Sequence, residues 1–296
     1  MSKPKVSVVM ITYGHEEYIE ESINGILTQN FDDEIELVIS DDCSPDNTQS
    51  IIEKIIVDHP NGHWIKYIRQ SKNKGAIPNF AWTIAQAKGK YIAICEGDDY
   101  WTNPLKLQKQ VDFLENNKEY SLCFHRTDEL YPNGEIKVSS YTKSDAHEKT
   151  FTLSDLFSGN FMHTPSVIFR NSISIPDWIK DAYIGDYIIW LCAAEKGKIK
   201  YLPDNMAIYR SGIGIWSSQD KEQMELKWMK SLAVIIMNVE NPEIRNGLQQ
   251  SFYNSSIRFM SSVYPSYLSL INQHIYKYYN DLSFSKLLKM TIKKVF

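Results

Sequence analysis

The chain has 296 residues, enough for one large α/β domain or for one domain with an appendage. Hydrophobic residues make up 43% and charged residues 23%, an ordinary globular usage that excludes a disordered or collagen-like chain. The formal net charge of −4 argues against a general nucleic-acid binder, because neutralising phosphates requires a basic surface.

The first 125 residues alternate short β-branched segments with amphipathic helical segments. Strands are predicted at residues 6–11, 35–40, 64–69, 90–95 and 121–124. Helices are predicted between them, at residues 16–29, after Ser44 as N-cap with Pro45 as the first helical residue, and from near Asn79. This alternation is typical of βαβ units and predicts an α/β fold with a mostly parallel central sheet flanked by helices.

Beyond about residue 126 the pattern changes to polar loops with isolated short elements. A short helix is predicted at residues 152–157, a strand at 166–170 and a helix at 186–196. From about Asp220 the sequence becomes helical and rich in aromatic residues. We therefore predict an α/β domain over residues 1–219 and a C-terminal helical appendage over residues 220–296.

Cysteine usage and hydropathy bear on location. The four cysteines form no C-x-x-C pair, which argues against a zinc knuckle or a thioredoxin-type motif and fits a reducing cytosol. The apolar run at residues 6–11 is too short for a signal peptide, and no clean apolar run approaches the roughly 18 residues of a membrane span. We expect a cytoplasmic protein.

The C-terminal tail carries a separate signal. Residues 240–296 contain seven basic and three acidic residues, although the whole chain is acidic. Residues 282–296 interleave lysines with large apolar side chains, as helices at a membrane surface do. Peripheral contact with the cytoplasmic face of the membrane and a solvated terminal helix both fit this pattern.

In an open α/β sheet, ligands bind beyond the carboxyl ends of the strands, so the residues after each strand matter most. The first strand leads into Thr12, Tyr13, Gly14 and His15, which lack the G-x-G-x-x-G turn of dinucleotide binders. This argues against a dehydrogenase.

Two further strand ends carry polar turns. Asp41 and Asp42 follow the second strand, where carboxylates can accept hydrogen bonds from a base or a ribose or can act as a helix-capping cluster. Asn73 and Gly75 follow the third strand, where the glycine permits an unusual backbone angle near a ligand or belongs to a plain surface turn. Neither turn alone decides between function and structure.

The strongest motif is acidic. Glu96, Asp98 and Asp99 follow a predicted buried strand within four residues of one another. Their negative charges repel one another unless a cation or a hydrogen-bond network compensates them. A hard divalent ion, Mg²⁺ or Mn²⁺, shared with a diphosphate would do so, whereas the alternative is a solvated acidic turn.

Four ordered segments, at residues 5–13, 39–46, 73–75 and 96–99, resemble the motifs of family 2 glycosyltransferases with the GT-A fold. The resemblance covers roughly residues 4–205. It implies a nucleotide-sugar donor with UDP as the expected nucleotide, a divalent metal, and transfer of a hexosyl or hexosaminyl group with inversion. The acceptor it implies is a hydroxyl of a glycan or lipid-linked oligosaccharide in surface polysaccharide synthesis.

The resemblance also implies roles for individual residues. Asp41 would accept a hydrogen bond from a uracil N–H, and Asp98 and Asp99 would hold the metal at a D-x-D-type position with Glu96 beside them. His163 would lie near the diphosphate, although a lone histidine is more often structural. The residues it assigns to the donor are Thr12, Tyr13, Asp41, Asn73, Gly75, Asp98 and His163.

The expected catalytic base opens a predicted helix about 90 residues beyond the acidic motif. Asp186 follows Gly185 there and precedes an apolar run. By itself this position also suits an N-terminal cap worth about 1 kcal/mol. The family resemblance favours the role of general base.

Two other functions remain to be separated from glycosyl transfer. A nucleotidyltransferase shares the general architecture but normally begins with a glycine-rich basic phosphate loop, which residues 12–15 do not resemble. A non-catalytic sugar-nucleotide or glycan-binding module fits every motif, because each of these residues can bind a ligand without turnover.

Overall fold

The structure is a computed structural model that describes residues 3–139, 141, 147–214 and 217–263. Its strands alternate with helices in the first half of the chain, as the sequence predicts. The strands are β1 (Val6–Thr12), β2 (Ile35–Asp41), β3 (Ile65–Arg69), β4 (Tyr91–Ile94), β5 (Tyr100–Trp101), β6 (Tyr120–Leu130), β7 (Ile136–Val138), β8 (Lys149–Phe151), β9 (Ile168–Arg170) and β10 (Lys198–Arg210).

Within the described part of the chain these strands form one sheet in the order β3-β2-β1-β4-β9-β6-β10-β5, with β7 beside β6 and β8 beside β10. The first four strands in this order run parallel. β9 lies antiparallel to both β4 and β6, while β6 and β10 are again parallel. The expected α/β architecture is confirmed, with its parallel half formed by the N-terminal strands.

Helices cover both faces of the sheet. The helices are α1 (Ile19–Leu27), α2 (Thr48–Asp58), α3 (Ala76–Gln86), α4 (Lys106–Asn116), α5 (Leu153–Leu156), α6 (Gly185–Ala194), α7 (Lys221–Asn238) and α8 (Pro242–Val263). Because neighbouring strand residues point to opposite faces, Val8 and Met10 pack with α1, α2 and α4, whereas Val9 packs with α3 and α6. The central sheet is therefore buried on both sides.

The second half of the sheet differs from the sequence prediction. The pattern predicts loops beyond residue 126, but β6 continues to Leu130 and the 13-residue strand β10 pairs along it. Polar residues and register shifts between Leu202 and Ala207 interrupt the alternation in β10, so its sequence lacks a clear strand period. This strand ends at Arg210, beside the turn that contains Glu96, Asp98 and Asp99.

Three helix starts also differ. α1 begins at Ile19, three residues after the predicted start at residue 16. α2 begins at Thr48 with Asn47 as N-cap, not at Pro45. Ser44 instead accepts a hydrogen bond from the backbone N–H of Gly14, and Asp46 accepts one from the N–H of Thr48. These hydrogen bonds hold Ser44 and Asp46 in the loop after β2, so the helix begins later in the chain than predicted. α3 begins at Ala76, three residues before the predicted Asn79.

The C-terminal helices pack on the same core as α6. Met229, Leu232 and Ile236 of α7 and Leu248 of α8 are buried in that cluster. No helix among the described residues is both long enough and apolar enough to cross a bilayer. The predicted interfacial helix at residues 282–296 lies outside the described residues.

Candidate active site

The acidic turn lies directly after β4, at the carboxyl edge of the parallel strands. One carboxylate oxygen from each of Glu96, Asp98 and Asp99 lies within 4.8 Å of the others. Asp99 is fully buried and Asp98 nearly so. Burial and the neighbouring Asp98 raise the pKa of both Glu96 and Asp99, because each charge loses water and faces another negative charge. The turn therefore concentrates negative charge that needs compensation.

The hydrogen bonds of Asp99 leave one oxygen unused. Its Oδ1 accepts a hydrogen bond from the backbone N–H of Arg210 over 2.8 Å. Its Oδ2 is buried and has no hydrogen-bond partner among the described residues. A buried carboxylate oxygen without a partner is costly unless a ligand supplies one. Carboxylates are the donors that Mg²⁺ and Mn²⁺ prefer, so these three side chains fit a divalent ion.

Gly97 lets the acidic turn approach the end of β1. A Cβ atom at this position would lie 2.7 Å from Oγ1 of Thr12 and 2.8 Å from Nδ1 of His15. These two atoms are 3.1 Å apart and form a hydrogen bond. The backbone N–H of Gly97 also donates to the carbonyl of Ile11 over 3.0 Å. Only glycine fits this contact without movement.

Thr12 and Asp41 are neighbours across the sheet. They are paired in the register of β1 and β2, where each is the last residue of its strand. Thr12 is buried, whereas Tyr13 immediately after it is 45% exposed. The structure thus brings these predicted donor residues together beside the acidic turn.

Asp41 is held by three donors. Its Oδ1 accepts from the N–H of Ser44 over 2.7 Å, and its Oδ2 accepts from the Tyr67 hydroxyl over 2.7 Å and from Nη1 of Arg69 over 3.0 Å. The carboxylate is fully buried. Burial is the largest influence that raises the pKa of Tyr67, followed by its hydrogen bond to Asp41. Asp41 therefore joins the end of β2 to the end of β3 and to the turn that follows β2.

Asp42 fixes the third predicted turn. Its carboxylate accepts hydrogen bonds from the N–H groups of Lys74 and Gly75 over 2.8 and 2.9 Å. The side chain of Asn73 accepts from the same Gly75 N–H over 2.9 Å. Gly75 precedes α3 with a φ of 87°, which other residues rarely adopt. Asn73 and Gly75 thus lie at the same edge of the sheet as Asp41, because Asp42, the next residue after Asp41, accepts the hydrogen bond from Gly75.

Asp186 lies in the first turn of α6, as the sequence predicts. Ile184 is the N-cap, so Asp186 does not occupy the cap position. Burial raises the pKa of Asp186, while donated hydrogen bonds from the backbone of Tyr187 and from Nδ2 of Asn160 act in the opposite direction. After burial and Asp98, the Asp186 carboxylate is the third cause that raises the pKa of Glu96. The negative charge of Asp186, the predicted base, therefore acts on the acidic turn.

His163 is largely enclosed by protein groups. Its Nε2 lies 2.8 Å from Oγ of Ser139 and 3.3 Å from Oε1 of Glu129. Its ring stacks on Tyr209 with 4.3 Å between the ring centres. The contact with His163 is the largest of the influences that lower the pKa of Glu129 to about 2. Tyr209 connects this group to the acidic turn, because the charges of Asp99 and Glu96 add to burial in raising the pKa of Tyr209.

Three residues of the site are not among the residues predicted from the sequence. Arg69 contacts Asp41, Asn160 contacts Asp186, and Arg210 contacts both residues of the Asp98–Asp99 pair. Arg69 ends β3, the strand beside β2, and is paired with Asp41 in the sheet. Its place at a predicted strand end is the signal that could have identified it as a partner of Asp41. Asn160 and Arg210 come from segments far away in the chain, and their positions depend on tertiary packing.

Comparison with known proteins gives the family. The sequence model of glycosyl transferase family 2 matches residues 7–174. An uncharacterized protein of Mycobacterium bovis is 36% identical over 214 residues, which are 72% of this chain and 61% of the relative. The chain thus spans about three fifths of the length of the first curated relatives that it matches.

Two solved structures share the fold. The Staphylococcus aureus TarS fragment 1–349 in complex with UDP-GlcNAc is 24% identical, has a TM-score of 0.63, and is aligned over 90% of this chain and 75% of that one. The mannosyltransferase PcManGT of Pyrobaculum calidifontis in complex with GDP-Man and Mn²⁺ is 15% identical, has a TM-score of 0.61, and is aligned over 99% and 81% of the two chains. With a family match over more than half of its residues, this chain belongs to glycosyl transferase family 2.

Proposed function

We propose that this chain is a metal-dependent, inverting glycosyltransferase. It moves a hexosyl or hexosaminyl group from a nucleotide-sugar donor, a UDP-sugar, to a hydroxyl of a glycan or lipid-linked acceptor in surface polysaccharide synthesis. The observation that carries the proposal is the pairing of two acidic groups at one edge of the sheet. Glu96, Asp98 and Asp99 form one group, and Asp186 is close enough to raise the pKa of Glu96.

The acidic turn serves the donor. Asp98 and Asp99, with Glu96 beside them, would hold Mn²⁺ or Mg²⁺, and Oδ2 of Asp99, which has no partner in the described part of the chain, would serve as a ligand. When bound, such an ion neutralises charge on the departing diphosphate. Thr12, Tyr13 and Asp41 bind the nucleoside, while Asn73, Gly75 and His163 line the donor side of the site.

Asp186 serves the acceptor. The acceptor oxygen forms a bond to the anomeric carbon while the bond from that carbon to the nucleoside diphosphate breaks. Asp186 takes the proton that the acceptor hydroxyl loses, and the electron pair of the broken bond leaves with the diphosphate. Burial favours proton uptake by this carboxylate, because it raises its pKa toward the working pH.

The named relatives support the donor class. The compared TarS fragment is in complex with UDP-GlcNAc, and TarS of Staphylococcus aureus bears the name poly(ribitol-phosphate) beta-N-acetylglucosaminyltransferase. PcManGT is in complex with GDP-Man and Mn²⁺. A nucleotide-sugar with a divalent ion and a surface-polymer acceptor are therefore the substrates to test first.

We further propose that residues 1–219 form the catalytic domain and residues 220–296 a helical region that contacts the inner membrane from the cytoplasm. The four cysteines are unpaired in the structure, which fits a reducing compartment. Contact of the C-terminal region with lipid would bring the site to a lipid-linked acceptor.

A thermal-shift panel tests the proposal. UDP-, GDP- and dTDP-sugars are compared with and without Mn²⁺, because a ligand at 100 times its dissociation constant stabilises by about 2.7 kcal/mol. We expect a UDP-sugar to raise the melting temperature only with Mn²⁺, and the same sugar to be transferred or slowly hydrolysed. Donor binding without any turnover would instead identify a non-catalytic binding module.

A further inference from the structure

Arg210 is the last residue of β10 and is only 5% exposed. Its backbone N–H donates to Oδ1 of Asp99 over 2.8 Å, and its Nη1 donates to the backbone carbonyl of Asp98 over 2.5 Å. Its second terminal nitrogen, Nη2, forms an ion pair with Glu21 of α1. One residue therefore joins the acidic turn to the end of β10 and to α1.

The surroundings of the guanidinium hold it in one position. Its carbon lies 4.9 Å from the ring centre of Tyr18 and 4.6 Å from that of Tyr100. Such contacts of a cation with two rings are favourable and restrict rotation of the side chain. With Glu21 at one end and the Asp98 carbonyl at the other, the side chain acts as a rigid bridge.

The bridge uses atoms of the acidic turn other than those that a metal needs. The side chain occupies the Asp98 carbonyl, and the backbone N–H of Arg210 occupies Oδ1 of Asp99. Oδ2 of Asp99 has no partner among the residues that the structure describes. On the basis of the proposed metal site, we infer that Arg210 is a positioning residue. It holds the Asp98–Asp99 turn in the conformation that binds a divalent cation. The cation itself never contacts Arg210.

Because Arg210 is positively charged, the direction in which its replacement changes the affinity for metal distinguishes two roles. A positive charge beside a cation site repels the cation, so a purely electrostatic role predicts tighter metal binding when the charge is removed. A positioning role predicts weaker binding, because the acidic turn loses its support. Loss of groups that orient metal ligands typically weakens affinity by about 10- to 100-fold.

The experiment measures Mn²⁺ binding by the intact chain from the electron paramagnetic resonance signal of free Mn²⁺, with no nucleotide present. Arg210→Met removes the charge, and Arg210→Lys keeps it but cannot reach Glu21 and the Asp98 carbonyl together. We expect both to weaken Mn²⁺ binding about tenfold or more. Melting temperatures without metal are recorded in parallel, so that a loss of folded protein is not mistaken for a loss of affinity.

Two more variants complete the design. Arg170→Lys is the matched control, because Arg170 also bridges carbonyls, those of Tyr120 and Leu114, but does not contact the acidic turn. It should lower the melting temperature and leave Mn²⁺ affinity unchanged. Glu21→Gln, at a side chain that is 56% exposed, should fold normally and weaken Mn²⁺ binding in the same direction by a smaller factor.

Each outcome separates the inference from the proposed function. Wild-type binding with unchanged affinity in the folded Arg210 and Glu21 variants would overturn the positioning role and keep the metal site. Tighter binding by Arg210→Met would assign Arg210 an electrostatic role only. A wild-type chain that binds no Mn²⁺ would overturn the metal site and, with it, the inference.

Discussion

Nδ2 of Asn160 donates a hydrogen bond to Oδ2 of Asp186 over 3.0 Å and thereby fixes the orientation of this buried carboxylate. The bond favours the charged form of Asp186, whereas burial favours the neutral form and raises its pKa overall. Asn160 belongs to the segment that precedes His163, so the position of the proposed base depends on packing between two distant parts of the chain.

The first prediction concerns Asp186 as general base. Asp186→Asn keeps the size of the side chain but cannot accept a proton, so transfer should fall by at least about 100-fold. Donor affinity should change little, because the proposed donor contacts lie elsewhere. In the wild type, transfer should decline as the pH falls through the raised pKa of Asp186, since only the charged carboxylate acts as base. Rates with saturating donor measure both effects.

Asp155→Asn is the control for this prediction. The Asp155 side chain accepts a hydrogen bond from the backbone N–H of Thr152 over 2.7 Å in a capping box, which is a structural role at a helix start. Its replacement should lower stability by about 1 kcal/mol and leave transfer unchanged. If Asp186→Asn behaves in this same way, Asp186 is structural and the base lies elsewhere.

The second prediction concerns the acidic turn. Asp99→Asn replaces a fully buried carboxyl group whose pKa is raised by burial and by the charge of Asp98. Without metal, the variant should therefore be at least as stable as the wild type. The same variant should lose Mn²⁺ binding, and EDTA should abolish transfer by the wild type. Denaturant unfolding and Mn²⁺ titration measure the two effects.

Asp112→Asn is its matched control, because Asp112 is exposed and accepts a hydrogen bond from Gln108 one turn away. It should affect neither stability nor Mn²⁺ binding by a measurable amount. Full transfer activity in chelator would show that the acidic turn has no catalytic metal.

The parallel half of the fold could be predicted because its information is local. The β-branched segments at residues 6–11 and 35–40 stand within one residue of the observed strands β1 and β2. Parallel neighbours end at the same edge of a sheet, which is why Thr12 and Asp41 are paired in the structure. The helix start at Asp186 follows equally from local sequence, since an acidic residue favours the first turn.

The remaining parts depend on contacts between distant residues. β10 contains lysine, proline, aspartate and asparagine and becomes a strand through its pairing with β6, some 80 residues earlier. Arg210 reaches the acidic turn only because β10 ends there. Ser44 and Pro45 predict a helix start, but Ser44 and Asp46 instead accept hydrogen bonds from the N–H groups of Gly14 and Glu16 in the loop after β1.

The third prediction concerns Asp41. Asp41→Asn places an amide against Tyr67 and Arg69, both of which donate to the carboxylate in the wild type. The ion pair with Arg69 is lost, and one donor then faces another donor, so the free energy of unfolding should fall by about 1–3 kcal/mol. UDP binding should weaken in the folded fraction. Denaturant unfolding and UDP titration at a temperature where the variant is folded measure these changes.

Tyr67→Phe separates the two roles of Asp41. It removes one neutral donor to the carboxylate and should cost about 1 kcal/mol or less while keeping the ion pair with Arg69. UDP binding should survive in this variant. Unchanged UDP affinity in Asp41→Asn would mean that Asp41 organises the loop and does not contact the nucleoside.

The last prediction concerns Lys106, which lies in the first turn of α4 and is fully buried. Its Nζ donates to Oε1 of Gln110 over 2.8 Å and lies 4.0 Å from the ring centre of Trp101. Burial lowers the pKa of Lys106 from 10.5 to about 7. Between these two values the folded protein binds fewer protons than the unfolded chain, so the wild type should gain up to about 1.4 kcal/mol of stability per pH unit as the pH rises.

Lys106→Met removes this pH dependence, because methionine fills similar space without a charge. The gain in stability of the variant over the wild type should be largest near pH 6.5, where the wild type pays the full cost of a buried ammonium, and should shrink toward pH 9.5. Lys109→Met is the control on the same helix, since Lys109 is 39% exposed and pairs with Asp204. It should follow the wild-type profile in denaturant unfolding. Parallel profiles for Lys106→Met and the wild type would mean that Lys106 keeps its charge in the core throughout this range.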